Sequence, residues 1–441
     1  MPGRFRRLKW LVASIYLLYF IGPYLRWDGR QALLLDIPAR KYHIFSLTIW
    51  PQDVWMLSLL LLTFFITLFA ATTIAGRVFC GYVCWQTVWT DVYTLIEEWI
   101  EGPPAQRRAL DKAPWSLHKL RVKAPKQAAW LVLSGLTGIT FTAYFMDVFE
   151  LWGRYFSLEG PVYIWVTPLP FMIGSYIGAG FMREQICFWL CPYARIQGVM
   201  TDPETLMPTY DNLRGEPRGK LVKCAMTGVK NGDCIDCNLC VAVCPTGIDI
   251  RNGQQEGCIT CALCVDACDT VMEKTGRPTG LVRYMSLKES HGEAHRAAFK
   301  RPRVLIYSAI VIAAISGVIY GATHLAPMTL TVIHERQPLF VTLSDGSIQN
   351  SYTVKILNKT DKPMEYRITA SGVDGLGLDV MGGPVARVEA GKVAPVQARI
   401  RVPKGKMAVE SAPVYFEAES LSDSAIGDRY ESVFISPKTG G

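Results

Sequence analysis

A chain of 441 residues with a formal net charge of +8, half of it hydrophobic, has room for two or three folded units. It is too apolar for a wholly soluble chain and too charged for one that is membrane throughout, so spans alternating with polar domains are implied. The positive balance reads as basic cytoplasmic loops rather than as a nucleic-acid surface. Thirteen cysteines clustered at ligand spacings, none beyond Cys268, exclude an oxidised secreted scaffold and point to metal sites in a reducing compartment.

In chain order, the first apolar run covers residues 8–25 and ends at Gly22-Pro23. It reads as a first span or an uncleaved signal-anchor, since no small-x-small cleavage site follows it. Residues 54–75, 128–149 and 162–181 each supply about 20 mostly apolar residues, enough to cross the hydrocarbon core, and 303–326 supplies a fifth span. Pro168 and Pro170 predict a kink in the fourth span and room near the bilayer midplane, of a kind a quinone could use. Basic residues set the sides. Arg4, Arg6, Arg7 and Lys9 precede the first span; Arg77, Arg107, Arg108, Lys112, Lys119, Arg121, Lys123 and Lys126 lie between the second and third; Lys300, Arg301 and Arg303 precede the last. The N-terminus, residues 76–127 and residues 183–303 are therefore expected in the cytoplasm and residues 326–441 outside. Arg26, Arg30, Arg40 and Lys41 run against the rule. The same assignment puts every cysteine on the cytoplasmic side, although cysteine played no part in making it.

Two short elements resemble each other: Phe79-Cys80-Gly81-Tyr82-Val83-Cys84 and Ile186-Cys187-Phe188-Trp189-Leu190-Cys191. Each sets two cysteines four apart, just past the cytoplasmic end of a span. If helix continues there, the two thiols of a pair share a face, and four thiols converge if the two helices are neighbours. A single pair would pass for small buried residues; two pairs matched in spacing and depth favour function. Soft sulfur suits Cu(I), zinc or iron–sulfur, and a vicinal dithiol could also cycle through a disulfide.

The strongest motif spans residues 234–268. Cys234, Cys237, Cys240 and Cys244, followed by Pro245, are repeated in spacing by Cys258, Cys261, Cys264 and Cys268. Three closely spaced thiolates grip three corners of a cubane, and in paired runs of this kind the fourth cysteine ligates the other cluster. Cys234, Cys237, Cys240 and Cys268 are thus expected on one 4Fe–4S cluster, and Cys258, Cys261, Cys264 and Cys244 on the other. Two zinc knuckles fit a duplicated four-cysteine run less well. Cys224 reads as a spare thiol. Asp233, Asp236, Asp266 and Asp269 are expected to lower the cluster potentials.

Residues about 338–437 alternate in strand fashion at Tyr352, Val354 and Ile356, at Tyr366 and Ile368, from Val396 to Val402, and from Val414 to Ala418. Seven or so short strands predict an immunoglobulin-like sandwich, more plausible as a docking module than as a catalyst. Gly375-Leu376-Gly377 reads as a turn, not a nucleotide loop. His291 with His295 reads as a solvated face, and His324, Met328 and His334 as scattered residues rather than a copper site. No flavin or nicotinamide site is visible.

The chain resembles the FixG/CcoG/RdxA family of accessory proteins for cbb3-type cytochrome c oxidase assembly. The resemblance covers nearly the whole chain. It is carried by Cys80-Gly81-Tyr82-x-Cys84-x-Gln86-Thr87-Val88-Trp89-Thr90, Cys187-x3-Cys191-Pro192-Tyr193-Ala194-Arg195, Cys244-Pro245-Thr246-Gly247-Ile248-Asp249-Ile250-Arg251, Cys268-Asp269 and Gly280-Leu281-Val282-Arg283-Tyr284; Trp85 stands where the family pattern often has proline. It implies reduction of Cu(II) to Cu(I) for the oxidase, with Cys80, Cys84, Cys187 and Cys191 as the copper-facing thiols, and a copper chaperone or oxidase assembly factors as partners. The expected architecture is an α-helical membrane domain (1–222), an inserted two-cluster, bacterial-type ferredoxin domain with a basic linker (223–302), a fifth transmembrane helix (303–326) and a C-terminal all-β immunoglobulin-like domain (327–441), in a bacterial inner membrane with the last domain periplasmic. Two other functions compete: a quinol dehydrogenase subunit feeding a periplasmic reductase, and a non-catalytic assembly scaffold. The electron donor stays open.

Overall fold

The computed structural model describes residues 3–50, 53–220, 232–294, 296–324, 326–360, 362–403, 406 and 410–437. Cys224 and His295 lie outside the described residues. The chain divides into two units, Met1–Tyr320 and Gly321–Gly441.

Among the described residues three helices are long and apolar enough to cross a membrane: Trp55–Ala75, Tyr163–Met182 and Pro302–Thr323. The first of them inverts the pattern of a soluble helix. Leu60, Leu61, Phe64 and Phe65 face outward while Thr72 and Thr73 are buried, the arrangement expected where lipid is the solvent. The other two expected spans differ from expectation. Residues 8–25 form no continuous helix; Arg4–Ala13 is followed by a 3-10 turn at Ser14–Tyr16, a short helix at Leu17–Ile21 and a second 3-10 turn at Gly22–Tyr24. The stretch expected over 128–149 belongs to a 27-residue helix, Leu117–Ala143, that starts in the basic region and ends six residues early, with a new helix at Val148–Ser157. Its second half buries Ser134, Thr137, Gly138, Thr140 and Thr142, small residues that let helices approach. A Cβ at Gly138 would stand 2.4 Å from the Pro168 carbonyl oxygen of the neighbouring span. Next to the prolines Thr167 keeps helical dihedrals (φ −59°, ψ −38°), and the span continues as Pro168–Ser175 and a π-helical stretch, Tyr176–Met182.

The amphipathic helix Trp85–Glu101 carries a buried charge cluster that the hydropathy pattern did not announce. Glu97 meets Arg107 at 2.5 Å, Arg183 at 2.9 Å and Lys126 at 3.5 Å, and Glu101 meets Lys126 at 2.9 Å and Lys123 at 3.1 Å. Burial pushes the Glu97 carboxyl up, but Arg183, Lys126 and Arg107 outweigh it and hold the group below its ordinary value.

The cysteine-rich insert is tied back by a two-stranded antiparallel ribbon, Met207–Tyr210 with Val282–Met285. The N-terminal helix also docks on it: the Asp266 carboxylate accepts the backbone N–H groups of Phe5 at 3.1 Å and Arg6 at 2.8 Å. A carboxylate from a distant helix thus caps the first turn of the chain.

The second unit is a sandwich of nine described strands, numbered within it β1 Met328–His334, β2 Val341–Thr342, β3 Ile348–Asn358, β4 Met364–Ser371, β5 Gly377–Val380, β6 Val385–Val388, β7 Val393–Val402, β8 Ser411–Ser420 and β9 Gly427–Ile435. One sheet runs β5-β7-β3-β1 with β2 paired to β3, the other β6-β4-β8-β9. The period-2 residues read from the sequence form the core: Tyr352, Val354, Ile356, Ala398, Ile400, Val402, Val414, Phe416 and Ala418 are all fully buried. The strands begin at Met328, ten residues before the alternation read from about residue 338 and inside the expected domain 327–441, because Met328, Leu330 and Val332 of β1 belong to that core. This disposes of His324, Met328 and His334 as a group: Met328 is core, and His334 Nε2 lies 2.8 Å from Asn350 Oδ1.

Candidate metal centre

The two cysteine runs fold alike. In the first, Asp236 and Asn238, which flank Cys237, are left-handed at φ 54° and 56°; in the second, Thr260 and Ala262, which flank Cys261, are left-handed at 55° and 57°. This alternation curls each loop around the thiols it carries. Asp and Asn accept it readily, whereas a β-branched threonine does so only under constraint. Thr260 is held in place: it is fully buried, and its carbonyl accepts the Tyr284 hydroxyl at 2.7 Å.

Each run closes on a small cavity. Cys234, Cys237, Cys240 and Cys268 line one, with Tyr210, Met272 and Leu281 among its walls. Cys244, Cys258, Cys261 and Cys264 line the other, with Ile248, Ile250 and Ile259. The fourth cysteine of each run therefore stands at the cavity of the other run, and Cys240 stands at both. Burial pushes the Cys258 and Cys268 thiols up to about 12, and Cys240, Cys261 and Cys264 upward as well. Without a cation these sulfurs stay protonated; a bound metal core would take their protons' place. Two sets of four thiols around apolar cavities fit cubane clusters. Among the described residues no three His, Cys, Asp or Glu side chains close around a point as one ion requires, the membrane-edge thiols included.

Of the four acidic residues expected to lower the potentials, two are paired with cations and two accept backbone N–H groups. Asp233 pairs with Arg214 at 2.5 Å and Asp236 with Arg251 at 2.6 Å; Asp266 is spent on the N-terminal helix and Asp269 accepts the Gly280 N–H at 2.8 Å. The Asp269 charge still reaches the first cavity, where it adds to the rise of the Cys268 thiol.

The membrane-edge thiols also come together, but not on continuous helices. Cys80 lies in the turn Val78–Tyr82, and Cys84 is the N-cap of Trp85–Glu101; Cys187 lies in the turn Ile186–Leu190, and Cys191 is the N-cap of Pro192–Met200. The second cysteine of each pair donates its N–H five residues back, Cys84 to Phe79 at 2.8 Å and Cys191 to Ile186 at 2.9 Å. Four residues before each first cysteine the preceding span ends at a positive φ, Gly76 at 59° and Arg183 at 46°. The two elements are thus one structural device used twice. It breaks the helix so that the second thiol turns back toward the first.

Cys80 and Cys187 each feel the charge of Cys84, Cys191 and Arg77, which sets the four thiols in one electrostatic neighbourhood. Burial raises Cys80 to about 12 and Cys187 to about 11, the neighbouring sulfurs add to the rise, and Arg77 opposes it. Sequence reasoning passed over Arg77, whose guanidinium is anchored on the Ala194 carbonyl, and Gln197, fully buried, whose Oε1 accepts from Cys80 Sγ at 3.3 Å. Neither carried a signal beyond proximity to a motif. A cavity of about 480 Å³ opens beside Cys187, lined also by Arg77, Arg195 and Glu256.

The two thiol systems touch. Cys80 packs in one buried cluster with Ile259 and Cys261. Gly81 lies so close that a Cβ there would stand 2.5 Å from the Ile259 carbonyl oxygen and 3.0 Å from Cys261 N and Cα, and the Tyr82 hydroxyl donates to the Cys261 carbonyl at 3.1 Å. Cys261 lines the nearer cavity together with Cys240, which also stands at the far one.

Comparison with known proteins places both thiol systems within iron–sulfur family matches. Residues 182–287 match a 4Fe-4S dicluster domain, residues 57–101 a 4Fe-4S binding domain, and residues 318–437 the Ig-like fold at the C-terminus of FixG. The chain is 38% identical to the nitrogen fixation protein FixG of Rhizobium meliloti, with 100% of this chain and 92% of that protein covered. It is 40% identical to protein RdxB of Cereibacter sphaeroides (93% and 89% covered) and 39% identical to protein RdxA of the same organism (97% and 90%).

Proposed function

From the premise that this chain belongs to the FixG/RdxA family of iron–sulfur redox proteins, we propose that it is a membrane-bound oxidoreductase that reduces Cu(II) to Cu(I) at Cys80, Cys84, Cys187 and Cys191, for assembly of a cbb3-type oxidase. Cys234, Cys237, Cys240 and Cys268 would hold one 4Fe–4S cluster and Cys244, Cys258, Cys261 and Cys264 the second. Bound there, such clusters supply single electrons, the stoichiometry of the Cu(II)/Cu(I) couple. The observation that carries the reading is the packing of Cys80 and Gly81 directly on Cys261, which brings the soft-ligand group against a ligand of the nearer cluster. Cu(I) is the ion that thiolate favours, and the cavity beside Cys187 gives it a polar approach. Arg77 lowers the cost of ionising the thiols, and Gln197 orients the Cys80 S–H.

The basic loops support a bacterial inner-membrane location with the N-terminus and cluster domain cytoplasmic and the C-terminal sandwich periplasmic. A copper chaperone or oxidase assembly factor is the partner class that this function calls for. The test is rapid mixing of dithionite-reduced protein with Cu(II). Re-oxidation of the clusters should keep pace with Cu(I) formation in the wild type and slow at least tenfold in Cys80→Ser/Cys84→Ser. Equal rates in both proteins would remove copper from these thiols.

A further inference from the structure

The residues above leave the electron donor unassigned, and a separate cavity speaks to it. It measures about 490 Å³ and lies between the helix that starts at Cys84 and the span Tyr163–Met182, within the size range of small-ligand sites. Its walls are aromatic and come as two stacked pairs, Trp85 on Trp89 with ring centroids 3.7 Å apart and Phe141 on Phe171 at 3.6 Å. Phe171, Pro170 and Gly174 at its rim are exposed on a helix long and apolar enough to span a bilayer, so the opening faces the apolar phase rather than water.

The slot is not lined for an acyl chain alone. Tyr19, Gln86, Thr137 and Ser175 line it too, and the Tyr19, Thr137 and Ser175 hydroxyls donate to the carbonyls of Thr137 at 2.7 Å, Leu133 at 2.8 Å and Met172 at 3.2 Å. Gln86 spends its N–H groups on the carbonyls of Gly178 at 2.9 Å and Arg183 at 3.1 Å and on Thr90 at 3.4 Å. Among the described residues no donor meets its Oε1, which leaves an acceptor for an incoming O–H. A flat ring between aromatic faces, a lipid-side mouth and a spare acceptor describe a hydroquinone with an apolar tail. The position fits as well, since Trp85 and Gln86 directly follow Cys84.

We propose that this cavity binds the ring of a membrane quinol and that the quinol is the protein's electron donor, an inference that rests on the redox function proposed above. The two quinol O–H bonds break, two protons pass to water, and two electrons leave one at a time past Trp85 and Cys84 to the iron–sulfur centres, leaving quinone. The test uses the full-length protein in detergent with a decyl-tailed benzoquinone as probe. Gly174 lines the cavity and offers a variant there, because a Cβ meets no atom within 4 Å and Gly174→Leu adds its bulk at the wall of the slot. Quenching of tryptophan fluorescence should saturate in the wild type, weaken more than tenfold in Gly174→Leu, and weaken about tenfold in Gln86→Leu, the loss of one hydrogen bond. Under anaerobic conditions the reduced probe should bleach the iron–sulfur absorbance of the wild type but not of Gly174→Leu, while dithionite bleaches both. Indistinguishable quenching of wild type and Gly174→Leu, equal competition by decane, or binding without bleaching would each overturn the proposal. Copper reduction by dithionite-charged Gly174→Leu is read separately: its loss would count against the thiol site rather than the quinol cavity.

Discussion

At the scale of single residues, the contact between Gly81 and Cys261 is the most sensitive point. Gly81→Ala puts a methyl group within 2.5 Å of a backbone oxygen, so the turn and the loop must part; overpacking of this kind costs about 1–3 kcal/mol. The eight cluster cysteines are untouched. Iron content should stay near the wild-type value while the rate of copper reduction falls severalfold, and a variant with wild-type kinetics would argue against passage through this contact. The thiols themselves give a pH signature in metal-free protein. Burial lifts Cys80 to about 12 and Cys187 to about 11, so at pH 8 both are neutral and iodoacetamide should label them far more slowly than a free thiol. A folded-state pKa raised above the unfolded value adds stability that is complete below the unfolded pKa, near 9, and drains away as pH rises through 11 to 12. Metal-free protein should therefore lose stability between about pH 9 and 12, and Cys80→Ala should flatten that slope. The spacing of the cysteines was legible in the sequence and so was their grouping. Arg77 and Gln197 were not, because what makes them functional is where two distant helices meet.

At the scale of elements, the repeated break after each span decides where the thiols point. The sequence suggested a continuous helix through each Cys-x3-Cys pair, since nothing in those apolar runs stops one except Gly76. In the second copy Arg183 occupies the equivalent position at φ 46° and ψ −118°, a conformation that a side chain other than glycine adopts only under constraint. Its guanidinium provides that constraint through Glu97 at 2.9 Å and the Gly180 carbonyl at 3.1 Å. Arg183→Gly should keep the break, since glycine takes this conformation without strain, but leaves Glu97 with two of its three cations. Arg183→Ala keeps the strain and loses the anchor, so it should be the worse of the two by about 1–2 kcal/mol in thermal unfolding. Equal losses in the two variants would mean that the ion pair, not the backbone, governs this turn. Such a device escapes sequence reading because its cause, a buried carboxylate some 86 positions earlier in the chain, leaves no local pattern. The same holds for the capping of the N-terminal helix by Asp266, which read simply as an acidic residue near a cluster.

At the scale of the whole molecule, the alternating strands of the C-terminal region were readable residue by residue, while the spans were readable only where lipid-facing leucine and phenylalanine dominate. The helix Leu117–Ala143 was read with both ends displaced, as 128–149, because its first turns are basic and its buried face holds serine, threonine and glycine. Packing against neighbouring helices chooses such residues, and hydropathy cannot weigh it. The division at residue 320 carries a thermodynamic consequence. Every residue of the sandwich core lies between Met328 and Phe434, and none of the cluster or membrane-edge cysteines lies there. The two units should therefore unfold as separate cooperative transitions, each with its own stability. Phe416 is fully buried at the centre of the sandwich, and Phe416→Ala removes about 3–5 kcal/mol, a large share of the stability of a domain this size. Calorimetry of the variant should move one transition down by ten degrees or more and leave the other in place, with iron and acid-labile sulfide unchanged per chain. If both transitions shift together, or if iron is lost along with the sandwich, the two units fold as one and the C-terminal domain is part of what holds the clusters.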